Sequence, residues 1–143
     1  MTAIHAPRLL VVEDEPEILA EVSGYLRRRG ELVKTAATYN EAMRALKDEG
    51  EPVDVLVSDV RLPDGSGIDL IRWAKNRSGR CFPCILMTGH LEQADLAPEF
   101  ESSGVRIVYK PFSLAMFYRE VRASLDASAS ASTGAMVHAG ATA

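Results

Sequence analysis

Five side chains that can do chemistry follow short apolar runs of the sequence, each at the point where a run ends. They are Glu13, Asp14, Asp59, Thr88 and Lys110. Carboxylate, hydroxyl and ammonium groups can bind a divalent cation together with the oxygens of a phosphoryl group. Acids at such positions also cap following helices, and for any single residue that interpretation would be sufficient. Five such residues at the ends of four runs favour a common site.

The apolar runs have the length of β-strands and alternate with segments of helical periodicity. The predicted strands are Arg8–Val12, Leu32–Ala36, Val53–Ser58, Cys84–Thr88 and Val105–Tyr109. These strands are apolar almost throughout rather than alternately apolar and polar, so helices should cover both faces of the sheet. Short connections between successive strands and helices favour a right-handed, doubly wound parallel sheet.

Helices are predicted between and after these strands. The first begins at Pro16 and stops at Gly30, since proline suits a first helical turn and glycine a C-terminal stop. A helix within Leu91–Ser103 should be short, because Pro98 cannot lie in a helix interior. The remaining predicted helices are Asn40–Asp48, Ile68–Asn76 and Leu114–Leu125.

In an open α/β sheet, the carboxyl ends of the strands line one crevice where ligands bind. A strand order of 2-1-3-4-5 makes strands one and three neighbours, so Glu13, Asp14 and Asp59 converge. Three carboxylates this close repel each other strongly unless a cation lies among them, and oxygen ligands favour Mg²⁺. Thr88 and Lys110 can then bind the oxygens of a phosphoryl group held over Asp59. The set indicates phosphoryl transfer to a carboxylate.

Length and composition limit the classes of protein to consider. The chain has 143 residues, of which 47% are hydrophobic and 25% charged, which suits one compact domain over residues 1–125. A net charge of -4 argues against binding nucleic acid by bulk electrostatics. With neither a signal pattern nor an apolar stretch of membrane length, we expect a cytoplasmic protein. Residues 126–143 are rich in Ala and Ser, and we predict a disordered tail.

Four segments together resemble the receiver domain of two-component response regulators. They are Leu9–Pro16 (LLVVEDEP), Val55–Gly67 (VLVSDVRLPDGSG), Ile85–Gly89 (ILMTG) and Tyr109–Phe112 (YKPF). Their order and spacing make the combination specific, although each segment alone would be weak. The resemblance extends over about residues 7–125 and implies a flavodoxin-like fold, with a five-stranded parallel sheet of order 2-1-3-4-5 and helices on both faces.

The resemblance also assigns roles to the residues of the site. It makes Asp59 the phosphoacceptor, and it makes Glu13 and Asp14 ligands of Mg²⁺ together with Asp59 and the backbone carbonyl of Arg61. In this family the residues two beyond the aspartate and two beyond the threonine flank the phosphoryl group. Here they are Arg61 and His90, whose bulk could shield the aspartyl phosphate from water, so we hypothesise slow self-dephosphorylation.

On the signalling side, the resemblance makes Thr88 the hydroxyl that follows the phosphoryl group and Lys110 its counter-ion, with a cis peptide before Pro111. Many receivers carry an aromatic switch residue three positions before this lysine, but here that position is Ile107. Tyr109 lies two residues further along the strand and therefore points to the same side. It is a candidate substitute, and a tyrosine that simply covers the sheet is the alternative.

The function implied is that of a single-domain response regulator. A sensor histidine kinase or histidine phosphotransfer protein would phosphorylate Asp59, and the domain would catalyse only its own phosphorylation and dephosphorylation. Since no output-domain pattern follows residue 125, we expect output by binding an effector protein, without DNA or membrane binding, as a monomer or a phosphorylation-dependent dimer. The alternative is a phosphorelay intermediate or phosphate sink without its own effector.

Three functions of other classes fit the residues less well. An aspartate-nucleophile phosphatase of the haloacid dehalogenase type wants a second aspartate two residues after the first, where Arg61 stands. A dinucleotide-binding oxidoreductase would need a glycine-rich turn in place of Glu13–Pro16. A redox or zinc role for Cys81 and Cys84 is disfavoured because the pair precedes a strand instead of opening a helix, and the histidines do not complete a ligand set.

Overall fold

The computed structural model describes residues 6–78, 82–89 and 104–126. In chain order the elements are β1 (Arg8–Val12), α1 (Pro16–Arg28), β2 (Leu32–Ala36), α2 (Tyr39–Lys47), β3 (Val55–Asp59), β4 (Arg61–Leu62), β5 (Gly65–Ser66), α3 (Gly67–Ser78), β6 (Cys84–Thr88) and β7 (Val105–Tyr109). A further helix spans residues 114–126 and is called the 114–126 helix below.

The five longer strands form one parallel sheet in the order β2-β1-β3-β6-β7, while β4 and β5 form a small antiparallel ribbon. Counting only the five longer strands, this is the predicted order 2-1-3-4-5, so the predicted flavodoxin-like fold is confirmed. Val12 of β1 pairs with Ser58 of β3, and Asp59 pairs with Met87 of β6. Because all five strands run in the same direction, their carboxyl ends meet at one edge.

Helices cover both faces of the sheet, as the continuous apolar strands predicted. The core beneath α2 and α3 includes Leu10, Val12, Ala42, Leu56, Leu70, Ile71 and Leu86. The core beneath α1 and the 114–126 helix includes Leu9, Val11, Val22, Leu26, Val57, Ile85, Phe117 and Val121. Each fully buried side chain of this size contributes about 1.5–3 kcal/mol, so the two cores hold the strand ends in place.

Four of the five predicted strands have the predicted bounds, and the exception has a local cause. The third was predicted from Val53 to Ser58, but β3 begins at Val55 and ends at Asp59. Before it, the Asp54 carboxylate accepts a hydrogen bond from the backbone N–H of Arg8 at 2.8 Å, and the Asp54 N–H donates to the Arg8 carbonyl. This pair fixes the residue ahead of the strand.

The helix ends differ from the prediction by one or two residues. α1 begins at Pro16 and ends at Arg28, two residues before Gly30, whose φ of 90° suits glycine. α2 and α3 each begin one residue earlier than predicted, and α3 extends two residues further. The 114–126 helix extends one residue beyond the prediction and includes Asp126.

Some predictions fall on other parts of the chain. The helix predicted within Leu91–Ser103 lies outside the described residues. So do residues 127–143 of the predicted tail, while Asp126 belongs to the 114–126 helix. Cys84 is fully buried and its thiol donates to the carbonyl of Phe82, which fits a core residue, while Cys81 is not among the described residues. No helix in the described ranges is both long and apolar enough to cross a lipid bilayer.

Candidate functional site

The carboxyl edge of the sheet brings together the acids that follow β1 and end β3. One carboxylate oxygen each of Glu13, Asp14 and Asp59 lies within 4.8 Å of the others. Glu13 is fully buried, the Asp59 side chain is 13% exposed and Asp14 is exposed. The three acids therefore form one cluster that is buried on one side and open to solvent on the other.

Lys110 links the two more buried acids of this cluster. Its Nζ donates to Glu13 Oε1 at 2.9 Å and to Asp59 Oδ2 at 3.0 Å. The backbone N–H of Lys110 donates to the Thr88 carbonyl at 2.7 Å, and the peptide bond to Pro111 is cis. Desolvation lowers the pKa of Lys110, but the bonds to both carboxylates outweigh it and raise the pKa, so the side chain stays cationic.

Glu13 has a partner for each carboxylate oxygen. Oε1 accepts from Lys110, and Oε2 accepts the backbone N–H of Glu15 at 3.1 Å. The backbone N–H of Glu13 in turn donates to the carbonyl of Ala36 at the end of β2. A buried carboxylate needs such partners to offset the cost of leaving water, and these fix Glu13 between two strands.

Asp59 is held in a less favourable environment. Burial raises its pKa, Lys110 counteracts this, and the negative charge of Glu13 raises the pKa again, to about 7. The Asp59 carboxyl group therefore keeps its proton to a higher pH than an ordinary aspartate does. A divalent cation among the acids would favour the carboxylate, which is the nucleophilic form. An all-oxygen cluster with one exposed acid fits a hard cation such as Mg²⁺.

A cleft of about 400 Å³ opens above Asp59. Its walls are formed by Asp14, Glu15, Asp59, Arg61, Leu62, Pro63, Gly89 and Lys110. Arg61, at the start of β4, is exposed at the rim. Thr88 is fully buried at the end of β6, where its hydroxyl donates to the Gly89 carbonyl at 3.1 Å. To donate to a group in the cleft, this hydroxyl would have to exchange that bond. His90 lies outside the described residues.

Ile107 and Tyr109 lie on the same side of β7, as the strand period predicts. Ile107 packs against the core beneath α2 and α3, while Val108 between them belongs to the opposite core. Tyr109 is 40% exposed at the end of the strand. An exposed ring near Lys110 suits a contact surface, and its role in switching stays a prediction.

Sequence reasoning missed the β4–β5 ribbon and what holds it. Arg61 pairs with Ser66 and Leu62 with Gly65, and the turn between them contains Asp64, whose carboxylate binds the start of α2. The Pro-Asp-Gly sequence predicts a turn. Nothing in the sequence spacing indicates that the turn reaches a helix some 25 residues earlier in the chain.

Comparisons with solved structures agree with this geometry. A response regulator receiver protein from Sinorhizobium medicae WSM419 is 27% identical, with a TM-score of 0.72 over 88% of this chain and 99% of that one. The non-phosphorylated HemR receiver domain from Leptospira biflexa is also 27% identical, with a TM-score of 0.72 over 83% of this chain and 94% of that one.

Comparisons of sequence lead to the same group of proteins. The transcriptional regulatory protein KdpE of Mycobacterium tuberculosis is 33% identical over 117 residues, 82% of this chain and 50% of KdpE. The phosphate regulon transcriptional regulatory protein PhoB of Escherichia coli is 34% identical over 109 residues, 76% of this chain and 47% of PhoB. The chain thus spans about half the length of these relatives. The family model of the response regulator receiver domain matches residues 9–122, and the chain belongs to that family.

Proposed function

We propose that this chain is a phosphorylation switch that accepts a phosphoryl group on Asp59 in a reaction that requires Mg²⁺. The observation that carries the proposal is the ammonium group of Lys110, held between Glu13 and Asp59 beside the exposed Asp14. This arrangement places a nucleophilic carboxylate, a fixed cation and an all-oxygen metal cluster around one cleft.

The proposed donor is a histidine kinase or histidine phosphotransfer protein. An Asp59 oxygen attacks the phosphorus of the phosphohistidine, an O–P bond forms, and the N–P bond breaks. The electron pair of that bond stays with the imidazole nitrogen. Because the other ring nitrogen of the reacting phosphohistidine carries a proton, an acyl phosphate and a neutral histidine result. In hydrolysis, water attacks phosphorus and releases inorganic phosphate with the original carboxylate. The chain thereby catalyses only its own phosphorylation and dephosphorylation.

This chain's own residues supply most of the positioning for that reaction. Lys110 Nζ, which donates a hydrogen bond to Asp59 Oδ2, can donate to a phosphoryl oxygen instead. The Thr88 hydroxyl can exchange its bond to the Gly89 carbonyl for a bond to another phosphoryl oxygen. We propose that Glu13, Asp14, Asp59 and the Arg61 carbonyl hold Mg²⁺, which supplies neutralisation of the negative charge gathered around the phosphorus.

For output, we propose phosphorylation-dependent binding of an effector protein in the cytoplasm, as a monomer or a dimer formed on phosphorylation. The added charge at Asp59 would shift the equilibrium between conformations at the end of β7, where Tyr109 is exposed. KdpE and PhoB are named as transcriptional regulators, but the match covers about half of each. A phosphorelay intermediate or phosphate sink is the alternative, supported by the same site.

The test is phosphorylation of the purified chain by acetyl phosphate, followed by intact mass spectrometry. With Mg²⁺ we expect a mass increase of one phosphoryl group, and with a chelator in place of Mg²⁺ we expect none. An unchanged mass in both conditions, for a chain shown to be folded, would overturn the proposal. Return of the group to a histidine phosphotransfer protein would favour the relay over effector output.

A further inference from the structure

Asp64 belongs to the exposed turn of the ribbon, outside the acid cluster, yet it makes a two-point contact with α2. Its Oδ1 accepts the backbone N–H of Tyr39 at 2.6 Å, and Oδ2 accepts that of Asn40 at 3.1 Å. Desolvation raises the pKa of Asp64, but these two bonds outweigh it and lower the pKa. Two oxygens on consecutive N–H groups fix both the position and the orientation of the carboxylate.

α2 also has an N-cap of its own. The Thr38 hydroxyl accepts the N–H of Glu41 at 3.1 Å, and the Glu41 carboxylate accepts the N–H of Ala37, one residue before the N-cap, at 2.8 Å. Asp64 adds a negative charge at the positive end of the helix. The Thr38 hydroxyl satisfies the N–H of Glu41, and Asp64 satisfies those of Tyr39 and Asn40, so the contact joins the loop to the first turn of the helix.

Gly65, the residue after Asp64 and the first of β5, also lies directly on α2. A Cβ atom at Gly65 would come within 2.7 Å of the Tyr39 ring, so only glycine allows this close approach. Gly65 pairs with Leu62 across the ribbon, and Ser66 pairs with Arg61. Through these pairs, whatever holds the turn against α2 also holds Arg61 and Leu62, and both residues line the cleft above Asp59.

We propose that Asp64 is a positioning residue of the phosphoryl site, which fixes the β4–β5 ribbon on α2 and thereby places the backbone of Arg61 for metal binding. The inference rests on the proposed function, because that function makes the Arg61 carbonyl a ligand of Mg²⁺. It adds a connection between α2 and the site. A partner that displaces the start of α2 would weaken metal binding, and metal binding would in turn hold α2 in place.

Two variants separate positioning of the ribbon from stability of the helix. Asp64→Ala removes the contact with α2, whereas Thr38→Ala removes the helix cap and leaves the ribbon contact. We expect Asp64→Ala to weaken Mg²⁺ binding, measured by calorimetry, by about tenfold, the lower end of the range for residues that orient metal ligands. Asp64→Asn should restore most of the affinity because its amide oxygen can still accept one N–H. Thr38→Ala should weaken Mg²⁺ binding less than Asp64→Ala does, because the bonds from Tyr39 and Asn40 to Asp64 remain.

Amide hydrogen exchange without metal gives a second measurement. In Asp64→Ala the amides of residues 61–66 other than Pro63 should exchange faster, together with those of Tyr39 and Asn40, which lose their acceptor. In Thr38→Ala the increase should be confined to α2. Unchanged Mg²⁺ affinity in Asp64→Ala, or an equal loss in Thr38→Ala, would overturn the inference while the proposed function stands. If the parent bound no Mg²⁺, the proposed function would fail and the metal-positioning role with it. Exchange would then show only whether Asp64 holds the ribbon.

Discussion

The inner and outer halves of the site are positioned by different physical means. In the inner half, Glu13, Asp59 and Lys110 stand at the ends of parallel strands, two of which, β1 and β3, have fully buried apolar side chains. Lys110 forms ion pairs with both acids within 3.0 Å. In the outer half, Arg61 and Asp64 lie on an exposed ribbon with strands of two residues each. Core packing fixes the inner half, while two hydrogen bonds and a glycine contact hold the outer half on α2.

The inner half of the site is therefore rigid, and the outer half is the part that can respond to binding. Moving an inner charge disturbs buried partners that cannot reach water, so the cost appears in the stability of the whole domain. Moving an outer residue exchanges one exposed contact for solvent, so the cost appears in binding. Substitutions in the inner half should therefore lower the free energy of unfolding more than substitutions in the outer half do.

Gly67→Ala tests the junction of the two halves, where the ribbon ends and α3 begins. A Cβ atom there would overlap the carbonyl oxygen of Asp59 and approach Ser58 Oγ at 2.7 Å. The Asp59 oxygen is backbone of β3 and cannot move freely, so we expect a loss of about 3 kcal/mol in the free energy of unfolding measured with urea. Gly24→Ala is the control, because in α1 it meets only the end of the Arg28 side chain. It should gain about 0.5–1 kcal/mol.

Lys110→Met tests the inner half alone. It keeps the length of the side chain but leaves Glu13 buried without its cation, and we expect a loss of about 2 kcal/mol, reduced from the full cost of breaking a buried pair because Lys110 is 24% exposed. Phosphorylation by acetyl phosphate should also slow. Arg72→Met removes an exposed pair with Asp69 at 3.7 Å and should change stability by less than about 0.5 kcal/mol. Equal losses in the free energy of unfolding for the two variants would contradict the claim that the buried charges of the inner half hold the domain together.

The pH dependence of stability tests the environment of Asp59. Its pKa is about 7 in the folded protein and ordinarily 3.8, so the folded protein binds this proton more tightly than the unfolded chain. Protonation of Asp59 therefore stabilises the metal-free fold, and this stabilisation is complete below about pH 4 and is lost as the pH rises through 7. The free energy of unfolding should fall by at most about 1.4 kcal/mol per pH unit. Urea unfolding at pH 5, 6 and 7 should show a slope in the parent that Asp59→Asn lacks. A parallel pH dependence in the two proteins would argue against a raised pKa.

Asp14→Asn tests the exposed acid of the cluster. Because Asp14 lies in solvent, we expect the free energy of unfolding to change by no more than about 0.5 kcal/mol. Mg²⁺ affinity should nevertheless fall by about tenfold, since one anionic ligand is lost. Calorimetry and urea unfolding on the same samples measure both quantities. A large loss of stability with unchanged metal affinity would place Asp14 in the inner half.

The inner half could be predicted from the sequence, because buried strands appear as apolar runs and the site residues are the polar residues that follow those runs. Parallel strand order then brings Glu13, Asp14, Asp59 and Lys110 together without any need for loop geometry. The pKa of Asp59 depends on how much water reaches it and on its distance from Glu13. Neither quantity has a sequence pattern, so no shift was predicted.

The outer half was not predictable to the same extent. Strands of two residues carry no periodicity, so Arg61–Leu62 and Gly65–Ser66 are not among the predicted strands. Thr38 is the N-cap of α2 and accepts the N–H of Glu41, but the predicted helix begins one residue late, at Asn40. The contact of Asp64 with α2 joins positions about 25 residues apart, and turn chemistry alone does not indicate such a partner.

The central claim is that Asp59, and no neighbouring acid, accepts the phosphoryl group. The direct measurement is to phosphorylate the chain with acetyl phosphate and Mg²⁺, reduce the acyl phosphate with borohydride to the corresponding alcohol, and locate the reduced residue by peptide mass spectrometry. We predict reduction at Asp59 alone and none in Asp59→Asn. Reduction at Asp14 or Asp64, or a label that persists in Asp59→Asn, would contradict the account.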